Sequence, residues 1–212
     1  MSAANRGGTA RIEKVVTSGQ FCLDGGCWDV DNNVWLIGDD SDVLVIDAPH
    51  EAAPIIDAIA GRNVVAIVLT HGHNDHINAA VDLATATGAP IWFPPQDRML
   101  WDEIHEKGPD HDLVDGTEFV ITGVTLRAIH TPGHSPGSTC LYAAELGTVF
   151  SGDTLFNGGP GATGRSYSNY DTIIESIRTS LLTLPADTIV RTGHGDDTTI
   201  AAEKTNLDAA AG

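Results

Sequence analysis

Cysteine is scarce in this chain: Cys22, Cys27 and Cys140 are the only three among 212 residues. So few, and an odd number, build no disulfide framework, and this usage points to a reducing compartment. Cys22 and Cys27 have four residues between them and no second pair to complete a zinc ribbon, so they read as ordinary hairpin positions. Positive charge is also scarce. Eleven Lys and Arg against 29 Asp and Glu leave a formal net charge of −18. Such a surface repels phosphate backbones and excludes nucleic acid as a partner. No apolar run approaches the roughly 20 residues of a spanning helix, so no membrane segment is expected. Residues 1–10 carry no apolar core of a secretory signal and read as a loose tail, which places the protein in the cytoplasm. No repeat or linker divides the chain, and one domain over 1–212 is the expectation.

What the chain does have is a dense group of metal-binding side chains. His71-Gly72-His73-Asn74-Asp75-His76 directly follows the apolar run Val64-Val65-Ala66-Ile67-Val68-Leu69-Thr70. Four potential ligands therefore fall within six residues, where a buried strand runs out into a loop. Imidazole and carboxylate together suit zinc, iron or manganese. Alternate side chains of an extended segment share a face, so His71 and His73 can grip one ion. Asp75 and His76 lie about a turn further on and can face a second.

The remaining pattern alternates strands and helices in each half. Strands are expected over 12–17, 33–37, 43–47, 64–70 and 90–93, with helices over 51–60, 76–87 and 96–104. The second half carries strands at 118–121, 124–130, 138–143, 147–151 and 188–192, a glycine-rich loop at 157–165, and helices at 170–183 and 198–210. Ser168 with Asp171 looks like a capping box for the first of these helices. Two packed sheets with helices on both outer faces satisfy this order. Three more ligand types sit where strands become loops, each preceded by glycine: His134, Asp153 and His194. His50, His105, His111 and His130 read as structural or surface histidines. The loop 157–165 and the stretch 105–112 are the expected substrate contacts.

These residues together resemble the metallo-β-lactamase superfamily, over about residues 12–200. The resemblance implies an α/β fold, an αββα sandwich of two mixed β-sheets flanked by helices. It also implies two divalent metal ions, zinc first, with iron or manganese as alternatives. The first ion would be held by His71, His73 and His134, and the second by Asp75, His76 and His194. Asp153 would bridge the two, and Asp47, ending the strand at 43–47, would brace the ligand loop from behind.

Thr131-Pro132-Gly133-His134-Ser135-Pro136-Gly137-Ser138 and Ser151-Gly152-Asp153-Thr154-Leu155-Phe156 look like the glyoxalase II group within that superfamily. This resemblance implies a hydrolase that cleaves an acyl-thiol, a thioester of a small thiol, with water activated between the ions and Asp75 as the catalytic carboxylate. Residue 153 is Asp where many true β-lactamases carry Cys. Glyoxalase II proper carries a C-terminal helical domain after the metal domain, and none is expected within these 212 residues. This chain also has Ala162 where a basic residue commonly contacts the thiol's carboxylate, and Arg165 could substitute for it. Alternatives within the same superfamily are a persulfide dioxygenase using one iron, through His71, His134 and Asp153, and a lactonase or other ester hydrolase. A metal-binding protein without catalysis is a further alternative. An Arg-over-Lys bias of eight to three suggests a GC-rich genome and mycothiol as one candidate carrier. Oligomeric state is not readable from the sequence.

Overall fold

The computed structural model describes residues 9–210. The first sheet begins with a long hairpin, β1 (Arg11–Leu23) against β2 (Gly26–Gly38), paired antiparallel in unbroken register from Arg11↔Gly38 to Leu23↔Gly26. β3 (Asp42–Ile46) pairs antiparallel with β2, and α1 (Ala52–Ile59) carries the chain over to β4 (Asn63–Val68), parallel to β3. Helices α2 (Asn74–Ile77) and α3 (Ala80–Thr87) lead to β5 (Ile91–Phe93), and α4 (Arg98–Ile104) to β6 (His111–Asp112), both strands parallel additions.

The second sheet starts at β7 (Glu118–Ile121), β8 (Val124–His130), β9 (Thr139–Ala143) and β10 (Thr148–Gly152), an antiparallel series. A small hairpin of β11 (Leu155–Phe156) and β12 (Gly159–Pro160) precedes α5 (Tyr170–Ser176), whose axis continues through a π turn at Ile177–Leu181. β13 (Ile189–Thr192) pairs parallel with β10, β14 (Thr198–Thr199) flanks it, and α6 (Ile200–Ala210) follows. Spatial order is β1-β2-β3-β4-β5-β6 in one sheet and β14-β13-β10-β9-β8-β7 in the other.

Alternation along the central strands builds three apolar layers. Val34 and Leu36 of β2, with Val43 and Val45 of β3, face α1, α3 and α4, whereas Trp35, Ile37, Leu44 and Ile46 face the second sheet. Phe150 of β10 and Leu141 of β9 meet them from the opposite side, while Val149 and Cys140 turn outward onto α5 and α6. Both faces of these strands are covered, which is why they read as continuous apolar runs. The result is the expected αββα sandwich of two mixed sheets.

Four expectations need correction. The strands at 12–17 and 33–37 are the inner ends of a hairpin that runs on to its tip at Asp24-Gly25. The helix expected over 76–87 is broken at Asn78-Ala79. There the carbonyl of His76 accepts from Ala48 N, and Ala79 N donates to Ala48 O, so the loop after β3 interrupts the helical ladder. The cap of α5 is Asn169, accepting from Thr172 N, and Ser168 instead takes the amides of Gly164 and Arg165. Cys22 and Cys27, directly opposed near the tip, form a disulfide, so the cysteines no longer argue for a reducing compartment. Of the tail expected over 1–10, residues 1–8 lie outside the described residues, and Ala10 is packed into the core between the sheets. No helix of the described residues is long and apolar enough to cross a membrane.

Candidate metal centre

Strand ends from both sheets converge at one edge of the sandwich. β4 delivers His71, α2 carries Asp75 and His76, the β8–β9 loop carries His134, β10 ends beside Asp153, and β13 ends before His194. The sheets are tied together here: Asn33 N donates to Gly193 O, its Nδ2 to the carbonyls of Thr192 and Gly195, and Trp35 Nε1 to Thr192 O. The three glycines that precede His134, Asp153 and His194 are all sterically required, and a Cβ at Gly133, where φ is +136°, would run into the Ile173 backbone. A Cβ at Gly193 would collide with the Asp153 carboxylate, and one at Gly152, where φ is +48°, would strike the Thr70 hydroxyl.

The seven residues fall into overlapping clusters. His71, His73 and His134 form one, Asp75, His76 and His194 another, and His71, His76 and Asp153 a third between them. In the first cluster His73 Nδ1 lies 3.1 Å from His71 Nε2 and 2.9 Å from His134 Nε2. In the second, His76 Nε2 and His194 Nε2 are 3.2 Å apart, and His194 Nε2 is 3.3 Å from Asp75 Oδ2. Ligands of a tetrahedral ion with bonds of about 2.0–2.2 Å stand about 3.3–3.6 Å from one another. Asp153 Oδ2 lies 3.5 Å from His134 Nε2 and 3.4 Å from His194 Nε2, within reach of both clusters.

The outer ring nitrogens are anchored. His71 Nδ1 meets Thr70 Oγ1, His76 Nδ1 meets Asp47 Oδ2, His134 Nδ1 meets the carbonyl of Ala162 and His194 Nδ1 that of Asp31, at 2.8–3.1 Å. Those bonds fix tautomers with Nε2 turned inward, the usual arrangement of a metal-binding imidazole. His73 is reversed: Nδ1 points inward, Nε2 has no partner, and the Phe21 ring stands 5.1 Å away. Asp47, at φ +62°, turns its carboxylate back under the ligand loop and accepts from Thr70 N and Oγ1 as well as from His76.

Protonation differs between the clusters. Burial, reinforced by neighbouring imidazoles, holds His71 well below its ordinary range and His73 at about 3. Burial also pulls on His76 and His194, but the Asp153 and Asp75 carboxylates outweigh it. They lift His76 well above its ordinary value and His194 to about 10. Burial would raise Asp153, yet His194 and His76 drive it well below the usual carboxylate range.

The donor set fits divalent cations on two observations. Asp75 Oδ1 and Asp153 Oδ1 are buried without a hydrogen-bond partner. With Nδ1 of His71 and of His134 taken by outer partners, both of their Nε2 lone pairs face His73 Nδ1, which carries one proton at most, so a shared cation satisfies all three where a single N–H cannot. The clusters form a binuclear metal-binding site consistent with a metal-dependent hydrolase.

Two polar residues here were not singled out from the sequence. Asp97, fully buried, accepts from Gly72 N between His71 and His73, and from Ser135 Oγ and Gly137 N beside His134. One carboxylate thus clamps two ligand loops. Burial raises its pKa more than these bonds lower it. Its position at the start of a helix reads as an ordinary first-turn acid, so no sequence signal marks it. Asn32, also fully buried, reaches the second cluster. A pair of Asn opening an apolar strand was the available signal.

A cavity of about 180 Å³ opens onto the ligands, walled by Phe21, Trp28 and Val30 of the hairpin and by Ala162 and Arg165. The Arg165 guanidinium lies 3.7 Å over the Trp28 ring, and Ser166 N donates to Asp24 at the hairpin tip. The loop 157–165 reaches the cavity through Ala162 and Arg165. The stretch 105–112 does not wall it: His105 bonds Ile77 O and stacks on Trp101, and His111 stacks on Trp92.

The metallo-β-lactamase superfamily model matches residues 28–194, and the chain belongs to that superfamily. Its relatives span several chemistries. Hydroxyacylglutathione hydrolase GloC of Haemophilus influenzae is 36% identical over 81% of this chain and 89% of its own length. The crystal structure of BLEG-1, a B3 metallo-β-lactamase, superposes with a TM-score of 0.76 at 29% identity, covering 89% of this chain and 97% of that one. TTHA1623, solved in a di-iron-bound form, gives 0.75 at 29% identity, covering 84% and 94%.

Proposed function

We propose that this protein hydrolyses a thioester of a small thiol at a dinuclear centre, in the manner of the glyoxalase II group. His71, His73 and His134 would hold one ion, Asp75, His76 and His194 the other, and Asp153 stands within reach of both. The carrying observation is the position of Asp153 Oδ2, 3.4–3.5 Å from an imidazole nitrogen of each cluster. A dinuclear reading uses all seven side chains, whereas a single iron on His71, His134 and Asp153 leaves His73, Asp75, His76 and His194 without a task.

Divalent ions held there would supply an acidified water, its pKa brought down from about 15.7 towards 7, and a Lewis acid for the carbonyl oxygen. The chain's own residues do the rest. Asp75, with Oδ1 free, accepts a hydrogen bond from the attacking water and orients it. Asp47, Ala162 O and Asp31 O keep the imidazoles in register. Phe21, Trp28 and Val30 exclude bulk water on the hairpin side. The Arg165 guanidinium makes no hydrogen bond or ion pair with the described residues, so it can take a carboxylate on the departing thiol. The GloC relative supports a hydroxyacyl thioester as the substrate class, and zinc suits the donor set, with iron supported by the di-iron TTHA1623 structure.

The test is a matched panel on protein loaded separately with zinc, iron and manganese. One hydroxyacyl group is presented on glutathione, on mycothiol and on a simple alkyl thiol, beside a β-lactam, a lactone and a glutathione persulfide with oxygen. Fastest turnover is expected for a thioester, without oxygen uptake. Faster oxygen consumption with the persulfide, or preferred lactone or β-lactam opening, defeats the reading.

A further inference from the structure

Alternate residues of β2 reach opposite sides of the first sheet. Asn33 points to the second sheet and holds the His194 loop. Asn32 points the other way, onto α2, which carries Asp75 and His76. Its Nδ2 lies 3.0 Å from Asp75 Oδ2, 3.2 Å from His76 Nε2 and 3.4 Å from His194 Nε2. Among themselves those three atoms are separated by 3.2, 3.3 and 3.7 Å. The amide therefore stands against all three ligand atoms of the second cluster.

An amide can present either end, and electrostatics chooses. An oxygen turned towards Asp75 would face its carboxylate, so the N–H end of the amide donates to Asp75 Oδ2. The Asn32 oxygen then faces outward and lies 2.8 Å from His50 Nε2. His50 is itself held, its backbone N donating to Asn78 Oδ1 and its ring pressed against Gly19, where a side chain would overlap it. Burial keeps His50 below its ordinary range, so the neutral ring has one N–H, and it goes to Asn32.

We propose that Asn32, oriented by His50, is a positioning residue for the second half-site, fixing the Asp75 carboxylate so that it, His76 and His194 converge on one ion. It rests on reading these three residues as ligands of a single ion. The first half-site has no such contact, so the effect is confined to the second ion.

The experiment titrates ion-free full-length protein with Co(II), following visible absorption and competing with a chelator of known affinity. Wild type binds two equivalents. Asn32→Leu keeps the first equivalent at wild-type affinity and weakens the second by about 10–100-fold, the usual cost of losing an outer partner. His50→Leu shows the same selective loss on a smaller scale, and His50→Gln, which can still donate to Asn32, restores much of it. If Asn32→Leu fails to fold, the His50 pair decides. Unchanged affinity at the second site, or equal loss at both sites, overturns the inference. Wild type binding fewer than two equivalents instead overturns the two-ion reading on which it stands.

Discussion

The cluster of His71, His73 and His134 contains no carboxylate of its own, whereas Asp75 stands inside the cluster of His76 and His194, and Asp153 leans on both. The contrast extends to how each is braced. Asp97 ties the first cluster's two loops through backbone amides, at one remove from the ligands. In the second, charged and amide side chains meet the ligands directly, Asp47 on His76 and Asn32 on Asp75, whereas His71 and His134 of the first are anchored by a hydroxyl and a backbone carbonyl. Without ions, His71 and His73 are neutral, with lone pairs open to a cation, while His76 and His194 keep protons that neutralise their carboxylates. One half-site is ready for a cation at neutral pH, and the other must first give protons up. The three-histidine half is therefore expected to fill first.

Removing the shared residue breaks the contrast most completely. Asp153→Ala is expected to cost both ions affinity and to cut turnover by more than about 100-fold, beyond the usual loss from an outer partner. His134→Ala should remove the first ion and activity together. Elemental analysis after gel filtration, paired with thioester turnover, reads both. Wild-type turnover in either variant would remove the centre from the mechanism.

Asp97→Asn probes the first half alone. An amide must present N–H to donors that the carboxylate now accepts, from Gly72 and Ser135 on one oxygen and Gly137 on the other. The expected outcome is about a 10–100-fold loss in first-ion affinity. Chelator competition on the variant checks it, and an unaltered first equivalent would mean the loops hold their shape without the clamp.

How much of this contrast could be read from the chain depended on the range of the signal. His71, His73, Asp75 and His76 are adjacent, and His134, Asp153 and His194 each follow a strand and a glycine, so local pattern found them. The sheets were legible for the same reason, since buried strands such as Val64–Leu69 stand out as apolar runs. Asp97 and Asn32 act across 25 or more positions in sequence, Asp97 with no local mark and Asn32 with only the Asn pair that opens an apolar strand. The outer hairpin, over residues 18–32, hides its strands behind polar and glycine residues facing solvent. The break in the helix over 76–87 comes from backbone bonds to Ala48, which no helical periodicity records.

The proton contrast has its own pH signature. A histidine whose folded pKa is raised contributes stability fully below its unfolded value and loses it as pH rises through the folded one. For His194 that window runs from 6.5 to about 10. Ion-free protein is expected to melt at progressively lower temperature across this range, while second-ion affinity rises as the protons leave. Calorimetric titration at pH 8, in two buffers of different ionisation enthalpy, should find more protons released by the second ion than by the first. Equal release would erase the distinction between the halves.

Arg165 sharpens the comparison least but separates metal from substrate. Its guanidinium stacks on Trp28 and touches neither cluster, so Arg165→Ala should leave both equivalents bound at wild-type affinity. If it takes a carboxylate of the departing thiol, the variant loses one charge-assisted hydrogen bond, about 1.5 kcal/mol, which is about tenfold in KM with kcat nearly unchanged. The loss should vanish with a thioester whose thiol carries no carboxylate, because that substrate never used the contact. Steady-state kinetics on the two thioesters decide it. An equal change on both would assign Arg165 to bracing the Trp28 wall, and a loss confined to the charged thiol would place recognition on the loop at 157–165, outside either half of the metal centre.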